Sequence, residues 1–172
     1  MSARLILNTA ARARNEVREL LELVFATELL RPSRCVWLVS AFLRDIPVLD
    51  NSGGAYVSLS PDLPRTQIRL SRLLSELASR GTHIVVASKP TPEGGEVGEE
   101  VQRVSDRNLI TVTRRIDLHV KGVVGDSYAL TGSMNFTHNG IDKLDELVRF
   151  ETSPAEVQKL RSEFHQHYGG TK

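Results

Sequence analysis

The chain has 172 residues, 40% hydrophobic and 25% charged, and carries 22 Lys and Arg against 21 Asp and Glu. These values fit one soluble domain with an apolar core, and a net charge of +1 excludes a protein that coats nucleic acid through bulk charge. The single cysteine, Cys35, excludes an intrachain disulfide and a thiolate metal cluster. No stretch reads as a signal peptide or reaches the roughly 20 apolar residues of a membrane span, so we expect a cytoplasmic protein with no membrane contact.

The first part of the chain alternates between helical and extended patterns. Apolar residues at helical spacing predict a helix over residues 11–30, which Pro32 ends. We assign residues 1–33 to an N-terminal helical segment that packs on the main domain, residues 34–172. The apolar run 35–42 predicts a strand that is buried on both faces.

A long loop and a leucine-rich helix come next. Residues 50–65 are rich in Gly, Ser, Pro and Asp and predict a loop, with residues 56–59 extended within it. The leucine stripe between residues 70 and 77 predicts a helix, and Gly81 supplies its left-handed stop. Residues 83–88 predict a second buried strand.

The remaining segments complete an α/β pattern. The acidic, glycine-rich segment 90–100 is expected to form a mobile loop that leads into a short helix through residues 101–104. Further strands are predicted over residues 109–115, 116–124, 128–134 and 146–151. Strands that alternate with helices indicate an α/β fold with a mixed, mostly parallel sheet flanked by helices.

The last helix has the clearest start. Ser153 and Glu156 have the spacing of a capping box, and Pro154 occupies the first helical position. Its predicted inner face consists of Val157, Leu160 and Phe164. We therefore expect an amphipathic helix that packs on the sheet.

Four polar residues in an apolar context mark the candidate site. Alternate side chains of a strand share a face, so His119 and Lys121 are predicted to project together. Ser133 and Asn135 repeat this spacing. Because a lysine among apolar neighbours is costly unless it meets an anion, this pattern predicts a pocket for an oxyanion such as phosphate.

We expect the two segments to form a β-hairpin. A turn centred on Ser127 pairs His119 with Asn135 and Lys121 with Ser133, so that all four side chains share one face. That register requires a loop of three or five residues. A two-residue turn would shift the register by one residue and turn one pair of side chains to the other face of the sheet, unless a β-bulge restores the alignment.

The segment from residue 119 to 146 resembles the signature of the phospholipase D superfamily, H-x-K-x4-D followed by G-S-x-N. The residues on its positions are His119, Lys121, Asp126, Gly132, Ser133 and Asn135. Glu146 falls where the bacterial nuclease branch of that family carries an acidic residue. The resemblance covers residues 34–168, with one departure. Residues 127–131 separate the Asp from the Gly-Ser pair, and the family usually has one residue more at this place.

The resemblance implies a phosphodiesterase, most often a DNA nuclease, that uses neither metal nor cofactor. One histidine attacks phosphorus to give a phosphohistidine, and a second protonates the leaving group and then activates water. Lys121 and Asn135 would bind phosphate oxygens, while Ser133 and Glu146 would orient the imidazole. Asp126 and Gly132 would be structural. Arg115 is a candidate for contact with a flanking phosphate, although a solvent-exposed role fits it equally well.

The motif occurs once, whereas a complete site of this family needs two. We therefore expect a two-fold homodimer in which each chain contributes one His119. The resemblance extends to restriction-enzyme subunits and to proteins of bacterial DNA-modification and defence clusters, which implies DNA as substrate and further protein partners. His138 follows the motif and is a candidate for the rim of the pocket. Asp45, Asp50 and Asn51, near the end of the first strand, are candidates for lining the cleft.

Two alternatives stay open. A non-catalytic binding or assembly subunit of a multi-protein DNA-defence system would keep the fold. The near-neutral charge favours it, and the retained His119 and Lys121 argue against it. A phospholipid hydrolase would need an apolar surface that meets a membrane, and no aromatic-rich amphipathic segment is predicted.

Overall fold

The computed structural model describes residues 3–8, 14–142 and 145–171. Its strands are β1 Arg4–Asn8, β2 Cys35–Val39, β3 Pro47–Asp50, β4 Gln67–Arg69, β5 His83–Ser88, β6 Ile110–Arg114, β7 Gly122–Val124, β8 Ala129–Gly132 and β9 Glu146–Glu151. Its helices are α1 Arg14–Leu30, α2 Leu70–Ser79, α3 Pro92–Val104, α4 His138–Asp142 and α5 Pro154–Tyr168, with a 3-10 turn at Arg107–Leu109. No helix of these residues is long and apolar enough to cross a membrane.

Seven strands form one mixed sheet in the order β1-β9-β8-β7-β2-β5-β6, and β3 and β4 form a separate hairpin. Strands β2, β5 and β6 are parallel neighbours, whereas β7 joins β2 in antiparallel orientation and begins an antiparallel run through β8, β9 and β1. Five of the seven strands therefore point in the same direction. The predicted α/β fold, a mixed sheet flanked by helices, is confirmed.

Strand β2 lies between two apolar layers. Val36 and Leu38 pack with side chains of α1, α2 and α3, whereas Cys35, Trp37 and Val39 pack with Phe164 and Tyr168 of α5. All five residues of the strand are fully buried. Burial on both faces explains why its sequence is continuously apolar rather than alternating, and it confirms the predicted buried strand.

The segment predicted to be a mobile loop, residues 90–100, is mostly helical. Helix α3 begins at Pro92, and its side chains Val97 and Val101 are fully buried against the core. Gly98 lies so close to the sheet that an added Cβ would stand 3.1 Å from Val112. The glycine content that suggested a loop instead allows the helix to approach the sheet, so the loop prediction is wrong for these residues.

Two predictions of helix ends had different outcomes. Helix α2 is followed by Gly81 at φ 93°, as the predicted left-handed stop requires. At the start of α5, however, the Ser153 side chain makes no capping hydrogen bond. The Glu151 carboxylate accepts hydrogen bonds from the Thr152 and Ser153 N–H groups instead, so the predicted capping box is wrong.

The loop between β3 and β4 folds around one buried amide. Asn51 donates to the Pro64 carbonyl oxygen and accepts from the Tyr56 N–H group, each at 2.9 Å. Residues 56–59 form turns rather than the predicted extended stretch. The predicted helix over residues 11–30 is observed from Arg14 onward, and its residues 11–13 lie outside the described part of the chain.

Candidate active site

Strands β7 and β8 form the predicted hairpin with a different register. Gly122 pairs with Thr131, and the Gly132 N–H group donates to the Lys121 carbonyl oxygen at 3.2 Å. Lys121 therefore lies opposite Gly132, one residue away from the predicted partner Ser133. The cause is a two-residue turn at Asp126 and Ser127, closed by a 3.0 Å bond from the Gly125 N–H to the Tyr128 carbonyl oxygen. The predicted pairings and the three- or five-residue loop are wrong.

His119 and Lys121 precede the strand rather than lying on it. The predicted strand over residues 116–124 is observed only from Gly122, which pairs with Val39 at the end of β2. Residues before Gly122 run past the end of β2 and lose that neighbour. They form a turn and an extended segment anchored by the buried Leu118, while His119 stays exposed.

The His119 and Lys121 side chains take different directions. Lys121 Nζ donates to the His119 carbonyl oxygen at 2.9 Å. The His119 side chain borders a surface cleft of about 210 Å³ together with Arg115 and Tyr168. In this cleft Arg115 forms a 3.2 Å ion pair with Asp117, and its hydrogen bond lowers the pKa of that carboxyl group, with a smaller contribution from the charge of His119.

Ser133 and Glu146 are brought into direct contact. The Ser133 hydroxyl donates to the Glu146 carboxylate and accepts from the Leu147 N–H group at 3.0 Å. The Ser133 N–H group in turn donates to the Leu147 carbonyl oxygen. Gly132 makes this approach possible, because an added Cβ would stand 2.0 Å from that same oxygen. Glu146 is buried, so the pair forms a fixed polar unit at the start of β9.

Asn135 is anchored to the segment that follows β2. Its Oδ1 lies 3.2 Å from the Ser40 hydroxyl and accepts from the Phe42 N–H group at 3.4 Å. The Ser40 hydroxyl also accepts from the Phe136 N–H group at 3.3 Å. Fixing the acceptor oxygen leaves the Nδ2 group of Asn135 as a donor for an anion. Sequence reasoning missed Ser40, although a polar residue directly after a buried strand is a recognisable signal.

A groove of about 690 Å³ opens beside Asn135. Its lining residues are Phe42, Arg44, Asp45, Arg69, Glu96, Asn135, Thr137, His138 and Asn139. Of the candidates named from the sequence, His138 and Asp45 line this groove, whereas Asp50 lines a separate small cavity and Asn51 is bonded within its own loop. Arg44 and Arg69 were not predicted. Within the described residues no cluster of His, Cys, Asp or Glu has the grouping of a metal site.

Asp126 lies at the other end of β7 from the histidine. Its carboxylate accepts from the Arg34 N–H group at 3.1 Å and from the Arg161 guanidinium. Burial raises the pKa of Asp126, but these two hydrogen bonds outweigh burial and the pKa lies below its usual value. The Asp126 N–H group donates to the Ser33 hydroxyl. These contacts join the hairpin turn to α5 and to the chain before β2.

The motif residues are therefore only partly assembled in one chain. Ser133 touches Glu146, and Lys121 lines a small cavity with Gly132. Asn135 faces the larger groove, and His119 faces the separate surface cleft. In the part of the chain that the structure describes, the His119 ring makes no hydrogen bond with Ser133 or Glu146. The predicted orienting contact to the imidazole is absent from the single chain.

Solved structures of similar fold span nearly the whole chain. NucT from Helicobacter pylori matches with a TM-score of 0.59 and 10% identity, covering 96% of this chain and 95% of its own. Nuc from Salmonella typhimurium, a phospholipase D family member, matches with a TM-score of 0.57 and 13% identity, covering 96% and 92%. Phosphatidylserine synthase from Haemophilus influenzae Rd KW20 matches with a TM-score of 0.58 and 17% identity. The match covers 99% of this chain but only 40% of the synthase.

No family profile and no curated protein sequence matches the chain. At these identities the structural matches establish the fold alone, which is that of the phospholipase D-like proteins.

Proposed function

We propose that the chain is a metal-independent phosphodiesterase that cleaves DNA in an active site formed by two copies of the protein. The observation that carries the proposal is the hydrogen bond of Ser133 to the buried Glu146, on a phospholipase D-like sheet. Lys121 is joined by a backbone hydrogen bond to Gly132, next to Ser133, and Asn135 follows Ser133 closely along the chain. Each of these residues lies on the family signature, as does His119.

The chemistry proceeds in two displacements. The imidazole of His119 attacks phosphorus, a phosphorus–nitrogen bond forms, and the bond to the leaving oxygen breaks. The His119 imidazolium of the second copy gives its proton to that oxygen. It then removes a proton from water, whose oxygen attacks phosphorus and breaks the phosphorus–nitrogen bond. Lys121 and the Nδ2 group of Asn135 stabilise the charge on the non-bridging oxygens.

The exposure of His119 fits a site that a second copy completes. The neighbouring side chains Ile116 and Val120 are 82% and 46% exposed, and Leu147, next to Glu146, is 44% exposed. Exposed apolar side chains around a polar half-site are the surface that a subunit contact would bury. Docking of the second copy would move the imidazole from the surface cleft toward the Ser133 and Glu146 pair.

DNA is the proposed substrate because the sequence motif resembles that of the nuclease branch of the family. The length of the chain also fits NucT and Nuc, which it matches along nearly their full length. It covers 95% of NucT and 92% of Nuc, but only 40% of the lipid synthase. The signature with an acidic residue at Glu146 is also that of the bacterial nuclease branch. Arg115 stands at the edge of the site and is proposed to contact a flanking phosphate after release from Asp117.

The test is cleavage of plasmid and single-stranded DNA in EDTA by the wild type, His119→Ala and His167→Ala. His167 borders the same cleft as His119 but lies outside the motif, so it is the matched control. Cleavage that survives chelation, disappears in His119→Ala and persists in His167→Ala supports the proposal. Equal activity in both variants contradicts it, and release of phosphatidic acid from phosphatidylcholine vesicles without DNA cleavage would assign the site to lipids.

One observation favours a second candidate, a non-catalytic assembly subunit of a DNA-defence system. Among the described residues, no hydrogen bond joins the His119 ring to Ser133 or Glu146, and Lys121 Nζ donates to the His119 carbonyl oxygen. A binding subunit would keep this arrangement in its assembled state. Wild-type protein that forms dimers or binds partner proteins, yet cleaves no nucleic acid, would support this candidate.

A further inference from the structure

We infer that the groove beside Asn135 holds the polynucleotide strand on one side of the bond to be cut, with Arg44 and Arg69 on its phosphates and Phe42 under a base. This inference rests on the proposed function, because it treats Asn135 as a phosphate ligand. The groove volume of about 690 Å³ exceeds the space that one phosphate needs. It therefore has room for the groups that flank the scissile bond.

The groove begins at the proposed phosphate-binding residue. The Phe42 N–H group bonds to Asn135, and the Arg44 N–H group bonds to the Phe136 carbonyl oxygen at 2.9 Å. Leu43 forms an isolated parallel bridge with Phe136 between these two contacts. The backbone of residues 42–44 is thus fixed to the segment after β8 that carries Asn135. A strand held at Asn135 would pass directly over Phe42 and Arg44.

The two arginines of the groove lie beside carboxylates that a phosphate could replace. Arg44 lies 3.9 Å from Glu96. Arg69 lies 4.0 Å from the Asp45 carboxylate and also donates to the Asp45 carbonyl oxygen, and both arginine side chains are at least half exposed. Such exposed pairs contribute little stability, so a phosphate can replace the carboxylate. Asp45 also accepts from the Ser71 N–H group at 2.8 Å in the first turn of α2, which directs its charge toward that helix.

Phe42 adds an exposed aromatic ring to the groove, which a site for phosphate alone would not need. The residue is 39% exposed, although Ala41 before it and Leu43 after it are buried. An exposed ring beside guanidinium groups is the arrangement on which single-stranded nucleic acids stack their bases. A lipid tail would need an extended apolar wall, whereas the other lining side chains are polar or charged. The groove chemistry therefore favours a nucleic acid strand over a lipid.

The direct test measures binding of a fluorescein-labelled single-stranded oligonucleotide to His119→Ala protein by anisotropy across a salt series. Adding Arg44→Ala and Arg69→Ala should weaken binding at least about ten-fold and reduce the slope of log K against log salt by roughly 1.4, the value for two lost phosphate contacts on a single strand. Arg103→Ala with Arg107→Ala removes the same charge outside the groove. Affinity in this control should stay within about two-fold.

Two further variants test the competing carboxylate and the aromatic ring of the groove separately. Glu96→Gln removes the carboxylate that competes for Arg44 and should strengthen binding a few-fold. Phe42→Leu keeps an apolar side chain but removes the ring, and should weaken binding roughly five- to ten-fold. Weaker binding in Glu96→Gln, or equal losses in the groove pair and the control pair, would overturn the inference.

Rates of hydrolysis on two substrates distinguish a failure of this inference from a failure of the proposed function. In the wild-type background, the groove pair should lose at least about ten-fold in kcat/KM on an oligonucleotide and keep its rate on bis(4-nitrophenyl) phosphate, which has no flanking strand. Equal losses on both substrates would overturn the groove assignment. If wild-type protein hydrolyses neither substrate, the proposed function fails, and the anisotropy series alone decides whether the groove binds a strand.

Discussion

The two ends of the β7–β8 hairpin differ in how firmly their polar side chains are held. At the turn, Asp126 receives hydrogen bonds from Arg34 and from Arg161, whose guanidinium is buried and lies 5.6 Å from the centre of the Trp37 ring. Ser33 connects this group to the buried Glu28 carboxylate. The turn end is thus a largely buried network that ties together α1, the hairpin and α5.

The opposite end is open. His119 is exposed, and Lys121 Nζ donates to the His119 carbonyl oxygen. Asn135 is fixed through its oxygen and faces a groove. One sequence motif therefore supplies both ends, and its Asp126 stabilises the hairpin whose other end presents the side chains that we propose to be catalytic. Substitutions at the two ends should affect different properties, stability at the turn and activity at the open end.

The largest effect is expected at the open end. Lys121→Met should reduce kcat for DNA cleavage about 10²- to 10³-fold, because it removes a cation from the developing charge on phosphate. Unfolding by urea should be unchanged within about 0.5 kcal/mol. The control is Lys159→Met on the exposed face of α5, which should retain activity. Loss of stability without loss of activity would show that Lys121 belongs to the structural part of the hairpin.

Asp126→Asn should have the converse effect at the turn. It leaves the buried Arg161 without its carboxylate and should lower the free energy of unfolding by about 3 kcal/mol. Because the folded pKa of Asp126 is lowered, its stabilisation is complete above the unfolded pKa and disappears as pH falls through the folded pKa. Urea unfolding between pH 7 and pH 3 should therefore show a smaller acid loss in the variant than in the wild type.

Asp117→Asn is the matched control for that experiment. Its carboxylate also has a lowered pKa and an arginine partner, but it is exposed. Its unfolding midpoint at pH 7 should equal that of the wild type. Similar destabilisation by the two substitutions would mean that burial of Arg161 is not what makes the turn end stable.

Gly132→Ala probes the connection between the two ends. The added methyl group would collide with the Leu147 carbonyl oxygen and force β8 away from β9, at a cost of about 2 kcal/mol. Because the Ser133 and Glu146 contact depends on this approach, activity should fall together with stability. Gly53→Ala, where nothing lies within 4 Å of the added atom, should leave both unchanged. Wild-type stability in Gly132→Ala would contradict the observed packing.

The smallest effect is expected for Glu28→Gln. Burial raises the pKa of Glu28 more than its hydrogen bonds from Ser33 lower it, so the folded protein binds this proton more tightly than the unfolded chain. Its ionisation therefore costs stability as pH rises from the unfolded pKa through the folded one. The free energy of unfolding of the variant should exceed that of the wild type by less than about 1 kcal/mol at pH 7 and equal it near pH 3. A less stable variant at pH 7 would show that the charged form is favoured.

The sequence predicted the fold more completely than the arrangement of the site. Buried strands such as β2 and β5 are recognisable because burial on both faces requires an unbroken apolar run. The end of helix α3, residues 101–104, was predicted, but its first part, residues 92–100, was not, since local glycine content outweighs the pattern of Val97 and Val101 when the packed sheet is unknown.

The candidate site shows which structural features the local sequence pattern does not determine. Strand periodicity predicted that His119 and Lys121 share a strand, but the strand starts where β2 provides a neighbour, at Gly122. The hairpin register depended on the turn length, and a one-residue difference moved Lys121 from Ser133 to Gly132. The roles of Arg44 and Arg69 required knowledge of which loops meet beside Asn135.

The most direct measurement of a site shared by two copies is the activity of mixed dimers. Differently tagged wild-type and His119→Ala chains are refolded together at several ratios, and DNA cleavage is measured in EDTA at a constant total concentration of chains. If each site needs one histidine from each chain, activity follows the square of the wild-type fraction, and an equal mixture retains about one quarter of the activity. An equal mixture that retains about one half, or wild-type dimers that cleave nothing, would contradict the shared phosphodiesterase site.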